Sequence, residues 1–120
     1  METGFKKLLV WQKAYQLALN IYRELKAFPK EEQFGLISQM RRAILSVPAN
    51  IAEGYERGSR KDYIHFLRIA KGSLSETETY LMFSRDLGYV TGSCYAELEK
   101  QRSETGRLLN GLIRSLSQGV

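Results

Sequence analysis

The sequence predicts an all-α fold, an antiparallel up-down four-helix bundle, and three observations carry that prediction. Apolar residues recur at steps of three and four along four successive segments, which is the spacing of one buried helix face. Glycine, proline and capping residues fall between the segments and leave only short links. The chain of 120 residues is long enough to bury a core without disulfides or metals, and no repeat or long linker divides it. We therefore expect a single domain over residues 1–120.

The first two helices are predicted from their apolar seams and from the residues at their ends. Helix one closes at Phe28-Pro29, because the residue before a proline is pushed out of the helical region. Helix two is expected to begin near Glu31 and Glu32, whose charges suit the positive end of a helix, and to stop at Gly58. The seam of helix one consists of Trp11, Ala14, Ala18, Ile21, Leu25 and Phe28, and that of helix two of Ile37, Met40, Ile44, Val47 and Ile51.

The last two helices follow from the same kind of signal. Ser59 and Asp62 form a plausible capping pair for helix three, and Gly88 before an apolar residue indicates a Schellman ending. Ser93 is predicted to cap helix four. The seam of helix three consists of Tyr63, Leu67, Ala70, Leu74, Thr77 and Leu81, and that of helix four of Leu98, Thr105, Leu109, Leu112 and Leu116.

The run SVPANIAEG, from Ser46 to Gly54, departs from a generic helical pattern. Pro48 removes a backbone hydrogen bond at a cost of about 3 kcal/mol, and it either kinks helix two or lies in a local turn that splits it. A line of polar residues runs roughly opposite the apolar seam, and its short side chains suit fixed hydrogen bonds between helices or subunits better than a solvated face. That line consists of Gln39, Arg42, Ser46, Asn50, Glu53 and Arg57.

Helix three carries a second stripe, which is either a broad buried arc or a subunit interface. The stripe consists of Phe66, Ile69, Ser73, Glu76, Tyr80 and Phe83, and its four large apolar members are the candidate interface residues.

The net charge of +5 favours anionic partners, nucleic acid above all. Basic residues gather where helices two and three meet, and guanidinium groups there could bind phosphates, although a merely solubilising surface is the alternative. The candidate nucleic-acid-binding residues are Arg57, Arg60, Lys61, His65, Arg68 and Lys71, with Arg41 from a second basic pair.

The sequence gives little evidence of a catalytic site. One His and one Cys cannot build a zinc site, and neither a Glu-x-x-His motif nor a Gly-rich phosphate loop is present. Glu53 and Glu76 could approach each other between helices two and three, but two carboxylates alone are weak evidence. Cys94, near a helix start, has either a lowered pKa or, more commonly for such a thiol, no reactivity. We expect no enzyme, catalytic residue, metal or cofactor.

The sequence also predicts the cellular compartment of the protein. The single Cys94 excludes an internal disulfide. No apolar run approaches the ~18 residues that span a membrane, and no signal-peptide pattern stands at the start. We therefore expect a reduced, cytoplasmic protein with no membrane partner.

The chain resembles the family of 23S rRNA-intervening-sequence proteins over residues 5 to 83, and its most specific match is SVPANIAEG. The last helix matches by pattern, and Val47 stands where isoleucine is frequent in the family. The other motifs that carry the resemblance are Val10-Trp11-Gln12-Lys13-Ala14, Phe28-Pro29, Phe34-Gly35-Leu36, Gln39 with Arg41-Arg42, Tyr63-x-x-Phe66-Leu67, Ala70 and Gly72-Ser73-Leu74-x-Glu76.

The resemblance implies a homopentameric ring of four-helix bundles without catalytic activity. Related accessory proteins of diversity-generating retroelements work with a reverse transcriptase and its RNA, so a reverse transcriptase or another nucleoprotein component is an expected partner. The family motif also singles out a polar signature, for which we expect a hydrogen-bonded network that locks helices two and three, or neighbouring subunits, together. The polar signature consists of Gln39, Arg42, Ser46, Asn50, Glu53 and Glu76.

Two functions follow from these expectations. The first is a non-enzymatic oligomer that binds RNA or DNA through its basic surface, with weak sequence specificity and strong salt dependence. The second is a protein–protein scaffold whose basic face only solvates the assembly.

Overall fold

The computed structural model describes residues 3–118, and it confirms the predicted all-α four-helix bundle for that part of the chain. A short 3₁₀ helix, Gly4–Lys7, precedes α1, and a second one, Lys30–Glu32, lies between α1 and α2. The four helices are α1 (Leu9–Leu25), α2 (Leu36–Glu56), α3 (Arg60–Asp86) and α4 (Gly92–Gln118).

The helices run alternately up and down, and each packs against its neighbours in the chain. The pairs α1–α2, α2–α3 and α3–α4 are in contact, and α4 closes the bundle against α1. Ser46 touches Ser73, while Gly54 lies against Tyr63 and Phe66, so α2 and α3 are antiparallel. The most extensive of these interfaces is that between α2 and α3.

The predicted seams face the core. Most of their members are buried, and Leu17 and Ala43 join them. Trp11, Tyr63, Leu112 and Leu116 are only partly buried, because they lie at the edge of the seams where the core meets solvent. The buried hydroxyl groups of Thr77, Ser84 and Thr105 are satisfied within their own helices, and that of Thr105 donates to the carbonyl of Gln101 at 2.8 Å.

Helix α2 begins at Leu36 and not near Glu31 and Glu32, which belong to the second 3₁₀ helix. The cause is a cap from outside the helix, since Glu32 Oε1 accepts a hydrogen bond from the Leu36 amide at 3.2 Å. The other oxygen of the same carboxylate accepts the Tyr89 hydroxyl at 2.8 Å. Glu32 therefore ties the α1–α2 link to the α3–α4 link and marks the helix start from four residues away.

The predicted ends of α2 and α3 are confirmed. Gly58 and Gly88 take up the left-handed conformation, with φ of +85° and +77°. The Tyr89 amide donates to the carbonyl of Ser84 at 2.8 Å, which is the longer bond of a Schellman motif. Ser59 caps α3, as predicted, by accepting a hydrogen bond from the Asp62 amide at 3.1 Å.

The cap of α4 is Thr91 and not Ser93. The Thr91 hydroxyl accepts a hydrogen bond from the Cys94 amide at 3.1 Å, and α4 begins at the next residue, Gly92. Ser93 thus lies inside the first turn, where its hydroxyl is 3.3 Å from that of Thr91. Because the link after Gly88 is short, the chain turns into the helix two residues earlier than the sequence signal indicated.

Pro48 neither splits α2 nor lies in a separate turn. The helix runs without interruption from Leu36 to Glu56, and Pro48 is buried within it. None of the described helices is both long enough and apolar enough to cross a membrane.

Candidate functional site

Six of the seven candidate phosphate-binding residues lie together around the turn between α2 and α3. Arg57 directly follows the last residue of α2, the others lie in the first half of α3, and all six are exposed. Arg57 has local partners as well: its Nε donates to Glu53 at 2.8 Å, and its guanidinium lies 4.8 Å from the ring centroid of Phe66. The ring of His65 makes an edge contact with Phe66 at 5.2 Å. The charge of Arg57 is thus partly balanced by Glu53, whereas no ion pair involves the other Arg and Lys residues of this group within the described part of the chain.

The fold adds three basic residues that the sequence reasoning missed. Lys6 and Lys7 lie in the 3₁₀ helix that packs on α2, where Lys7 Nζ is 5.8 Å from the Tyr55 ring centroid. Arg114 reaches the same end of the bundle because α4 runs antiparallel to α3, with Gly106 beside Leu74. With His65 left out because the formal charge counts it as neutral, the resulting group of eight cations is called the basic pole, and it consists of Lys6, Lys7, Arg57, Arg60, Lys61, Arg68, Lys71 and Arg114.

Charge is strongly segregated along the bundle. Only three acidic residues, Glu53, Glu56 and Asp62, accompany the eight cations of the basic pole. The other described residues carry ten cations and nine acidic groups, so that part of the chain is close to neutral. Nearly all of the positive excess therefore lies at one end. The sequence indicated the five cations between residues 57 and 71, which are neighbours in the chain, but only the fold brings Lys6, Lys7 and Arg114 to the same end.

Arg41 stands apart from the basic pole. Its guanidinium lies 5.5 Å from the ring centroid of Tyr22, and it lines a small depression together with Lys26 and Lys30. Along α2 it is sixteen residues before Arg57, which corresponds to about 24 Å at 1.5 Å per residue. Arg41 cannot act in the same phosphate contact as the other six candidates.

Two members of the polar signature form the expected bridge between α2 and α3. Asn50 Nδ2 donates to both the carbonyl and the hydroxyl oxygen of Ser46, at 2.7 and 2.8 Å. The Ser73 hydroxyl of α3 donates to the Ser46 hydroxyl at 2.8 Å. The carbonyl that Pro48 leaves free in an α-helix is that of Ile44, so Asn50 does not serve as a substitute donor for it.

The other members of the polar signature lie outside this bridge. Arg42 hydrogen-bonds Gln39 on the surface of α2, and Glu53 binds Arg57. Glu76 is exposed and makes no hydrogen bond with the residues that the structure describes. Glu53 and Glu76 do not approach each other, because Glu53 lies beside the start of α3 and Glu76 lies beyond the Ser46–Ser73 contact.

Replacing Asn50 with alanine is expected to lower the free energy of unfolding by about 1 kcal/mol. The change removes two half-buried hydrogen bonds, each worth about 0.5–1.5 kcal/mol, and the better helix propensity of alanine offsets part of the loss. Urea unfolding followed by circular dichroism measures the difference. The matched control is Asn110→Ala on the exposed surface of α4, for which only the propensity gain is expected. Equal stability of the two variants would show that the hydrogen bonds from Asn50 to Ser46 contribute nothing to the free energy of unfolding.

The candidate interface stripe of α3 is partly core and partly surface. Phe66 and Tyr80 are half-buried, since Phe66 packs against Gly54 and Tyr80 adjoins the core. Ile69 is 39% exposed and Phe83 is 55% exposed. Only the latter two are therefore available in full to a second molecule.

Two features bear on reactive chemistry. Burial, together with a hydrogen bond to Glu24 and its charge, raises the pKa of the Cys94 thiol to about 11, so the reactive thiolate is scarce near neutral pH. The alternative of a lowered pKa is therefore wrong. Within residues 3–118 no group of three or more His, Cys, Asp or Glu side chains is arranged to hold a metal ion.

Comparisons with known proteins add a family and a fold. A family model described as 23S rRNA-intervening sequence protein matches residues 6–111. A crystal structure from Bacteroides thetaiotaomicron, of a protein with unknown function from the S23 ribosomal protein family, superposes with a TM-score of 0.82 at 30% sequence identity. That match covers 88% of this chain and 96% of the other. The curated proteins contain no match to this chain.

Proposed function

The chain belongs to the 23S rRNA-intervening sequence protein family, and from that premise we propose that it is a non-enzymatic nucleic-acid-binding protein, an accessory to a larger nucleoprotein. The observation that carries the proposal is the segregation of charge, with eight cations against three acidic groups at the basic pole. A concentrated positive surface attracts the phosphate backbone and releases its counterions.

The side chains of the basic pole are better suited to contact backbone phosphates than to recognise the edges of bases. Arg60, Lys61, Arg68 and Lys71 are exposed on one helix and form no ion pair with any described residue. Arginine grips phosphate oxygens in pairs, and lysine acts as a mobile point charge. Phosphate contacts fix position without reading sequence, so we propose that the protein binds structured RNA and duplex DNA with little preference for sequence.

A salt titration tests this function. Fluorescence anisotropy with labelled hairpin RNA and duplex DNA should give binding at 50 mM salt, and affinity should fall steeply by 200 mM. If the basic pole makes five to eight phosphate contacts, log K should decrease against log salt with a slope of about −4 to −7. An absence of binding at low salt, with the full chain folded, would overturn the proposal.

Self-association belongs to the same proposal. Exposed large apolar side chains share one face of α3 and its C-terminal end, namely Ile69, Phe83 and Leu87. We propose that this face contacts a second copy, and that the assembly is the homopentamer that the resemblance implies. Such a ring would bring several basic poles to one nucleic acid and raise its affinity by multivalency. Light scattering after gel filtration measures the mass, and a monomer at micromolar concentration would contradict this part.

The second candidate function is a protein–protein scaffold. It is favoured by the exposure of nine large hydrophobic side chains among residues 3–118, with Phe34, 91% exposed, as the extreme case. A reverse transcriptase or another nucleoprotein component would be the partner. This function predicts a complex that survives nuclease treatment and moderate salt, whereas the nucleic-acid function predicts one that dissociates.

A further inference from the structure

An apolar groove lies between α1 and α2 on the outside of the bundle. It has a volume of about 660 Å³ and extends along α1 from Trp11 to Tyr22 and along α2 from Leu45 to Ala52. Eleven residue steps along a helix correspond to about 16 Å, or three turns. This surface is called the α1–α2 groove.

Small side chains form the floor of the α1–α2 groove, and large ones form its walls. Ala18, Pro48 and Ala49 are on the floor, so the two helices leave space between their outer faces. Tyr15 and Leu45 stand on opposite walls and are 47% and 49% exposed. An open apolar trough of this size on a small protein is characteristic of an interaction site.

The two ends of the groove differ in charge. Beside Tyr22 it meets the depression lined by Arg41, Lys26 and Lys30, which has no acidic side chain in its lining. This end is called the cationic corner. The opposite end, beside Phe5, borders the basic pole at Lys6 and Lys7 and also has the acidic Glu56. The cationic corner has three cations and no acidic side chain in its lining, so it is the favoured position for the acidic residues of a partner.

We propose that the α1–α2 groove receives a three-turn amphipathic helix of a partner protein, whose acidic residues lie at the cationic corner. The apolar stripe of such a helix, at positions i, i+3, i+4 and i+7, has the length and chemistry of the trough. An enclosed site would suit a small ligand, which typically buries most of its surface, whereas this groove is open along its length. The site meets the basic pole only at its Phe5 end, and binding of a protein helix there extends the function beyond nucleic-acid binding.

The protein contains a built-in reporter for the proposed site. Trp11 is the only tryptophan of the chain and it lines the groove. We would titrate the full chain with a Trp-free 14-residue peptide that carries a Leu stripe at helical spacing and two Glu residues at one end. Docking should shift the Trp11 emission to shorter wavelength. A peptide with Lys in place of Glu should bind about tenfold more weakly, and a sequence-scrambled peptide should leave the emission unchanged.

Variants of exposed residues assign the effect to the groove. Leu45→Glu and, independently, Ala49→Glu should weaken peptide binding by about tenfold or more. Leu9→Glu, which places the same charge at a 52% exposed leucine outside both the groove lining and the α3 face proposed for self-association, should leave it unchanged. Arg41→Glu should reverse the preference between the Glu and Lys peptides. Circular dichroism melting shows whether each variant is folded.

Several outcomes would overturn the inference. Equal binding of the ordered and scrambled peptides would do so, as would full binding by both groove variants. A fall in oligomer mass on Leu45→Glu would show that a second copy covers the groove instead. RNA affinity serves as the separate readout of the proposed function, because the groove variants leave the basic pole intact.

Discussion

Gly54→Ala should destabilise the bundle by about 1–3 kcal/mol, because it overpacks the interface between α2 and α3. A Cβ atom at position 54 would lie 2.9 Å from Cβ of Phe66 and 3.2 Å from both Cδ1 and the carbonyl oxygen of Tyr63. Two of these atoms are held close to the backbone of α3, so the helices must move apart to admit the methyl group. Alanine regains up to ~1 kcal/mol through helix propensity, which offsets only part of the strain.

Gly72→Ala is the matched control. Gly72 lies within α3, and a Cβ atom there would have no neighbour within 4 Å. The substitution should therefore stabilise the protein by about 0.5–1 kcal/mol through the conformational entropy of the unfolded chain. Urea unfolding of the two variants should place their free energies of unfolding about 1.5–4 kcal/mol apart. Equal stabilities, or a more stable Gly54→Ala, would show that close helix contact is not the reason for glycine at position 54.

Removal of four charges from the basic pole should weaken nucleic-acid binding by a factor on the order of 10³ near 100 mM salt. The variant replaces Arg60, Lys61, Arg68 and Lys71 with glutamine, which keeps polarity and comparable length. Each lost phosphate contact should reduce the slope of log K against log salt by about 0.9 for duplex DNA. The fold should be retained, since all four side chains are exposed.

The control for this experiment removes the same number of charges elsewhere. Arg23, Lys30, Lys100 and Arg107 are exposed and lie outside the basic pole, and their replacement with glutamine changes the net charge equally. We expect this control to lose only a few-fold in affinity through the general field of the protein. If both variants lose affinity to the same extent, binding depends on total charge and not on the basic pole.

Much of the fold could be predicted because its signals are local. Helix periodicity, the glycines at positions 58 and 88 and the Ser59 cap act within one or two turns, and the structure confirms each of them. The two errors in helix starts have non-local or competing causes. Glu32 acts as a cap while it also holds Tyr89 from the other link, and Thr91 precedes Ser93 as an equally suitable capping residue.

The candidate site could be predicted only in part. The run SVPANIAEG was correctly singled out, but its residues have different tasks: Asn50 bonds Ser46 beside Ser73, and Gly54 permits close packing. The basic residues of α3 were found because they are neighbours in sequence. Arg41 was grouped with them on charge alone, and the structure places it at the far end of α2, over Tyr22.

The sequence by itself determined the four amphipathic segments, their stop signals and the total charge, since these depend on residue type and on spacing within a helix. Only the tertiary structure decided where that charge gathers, which glycine has no room for a side chain and which apolar faces remain open. The physical reason is that antiparallel packing brings together residues such as Lys7, Arg60 and Arg114 that share no helix. The apolar pattern within a helix identifies its buried face, but the contacts between helices decide which of the other apolar side chains remain exposed.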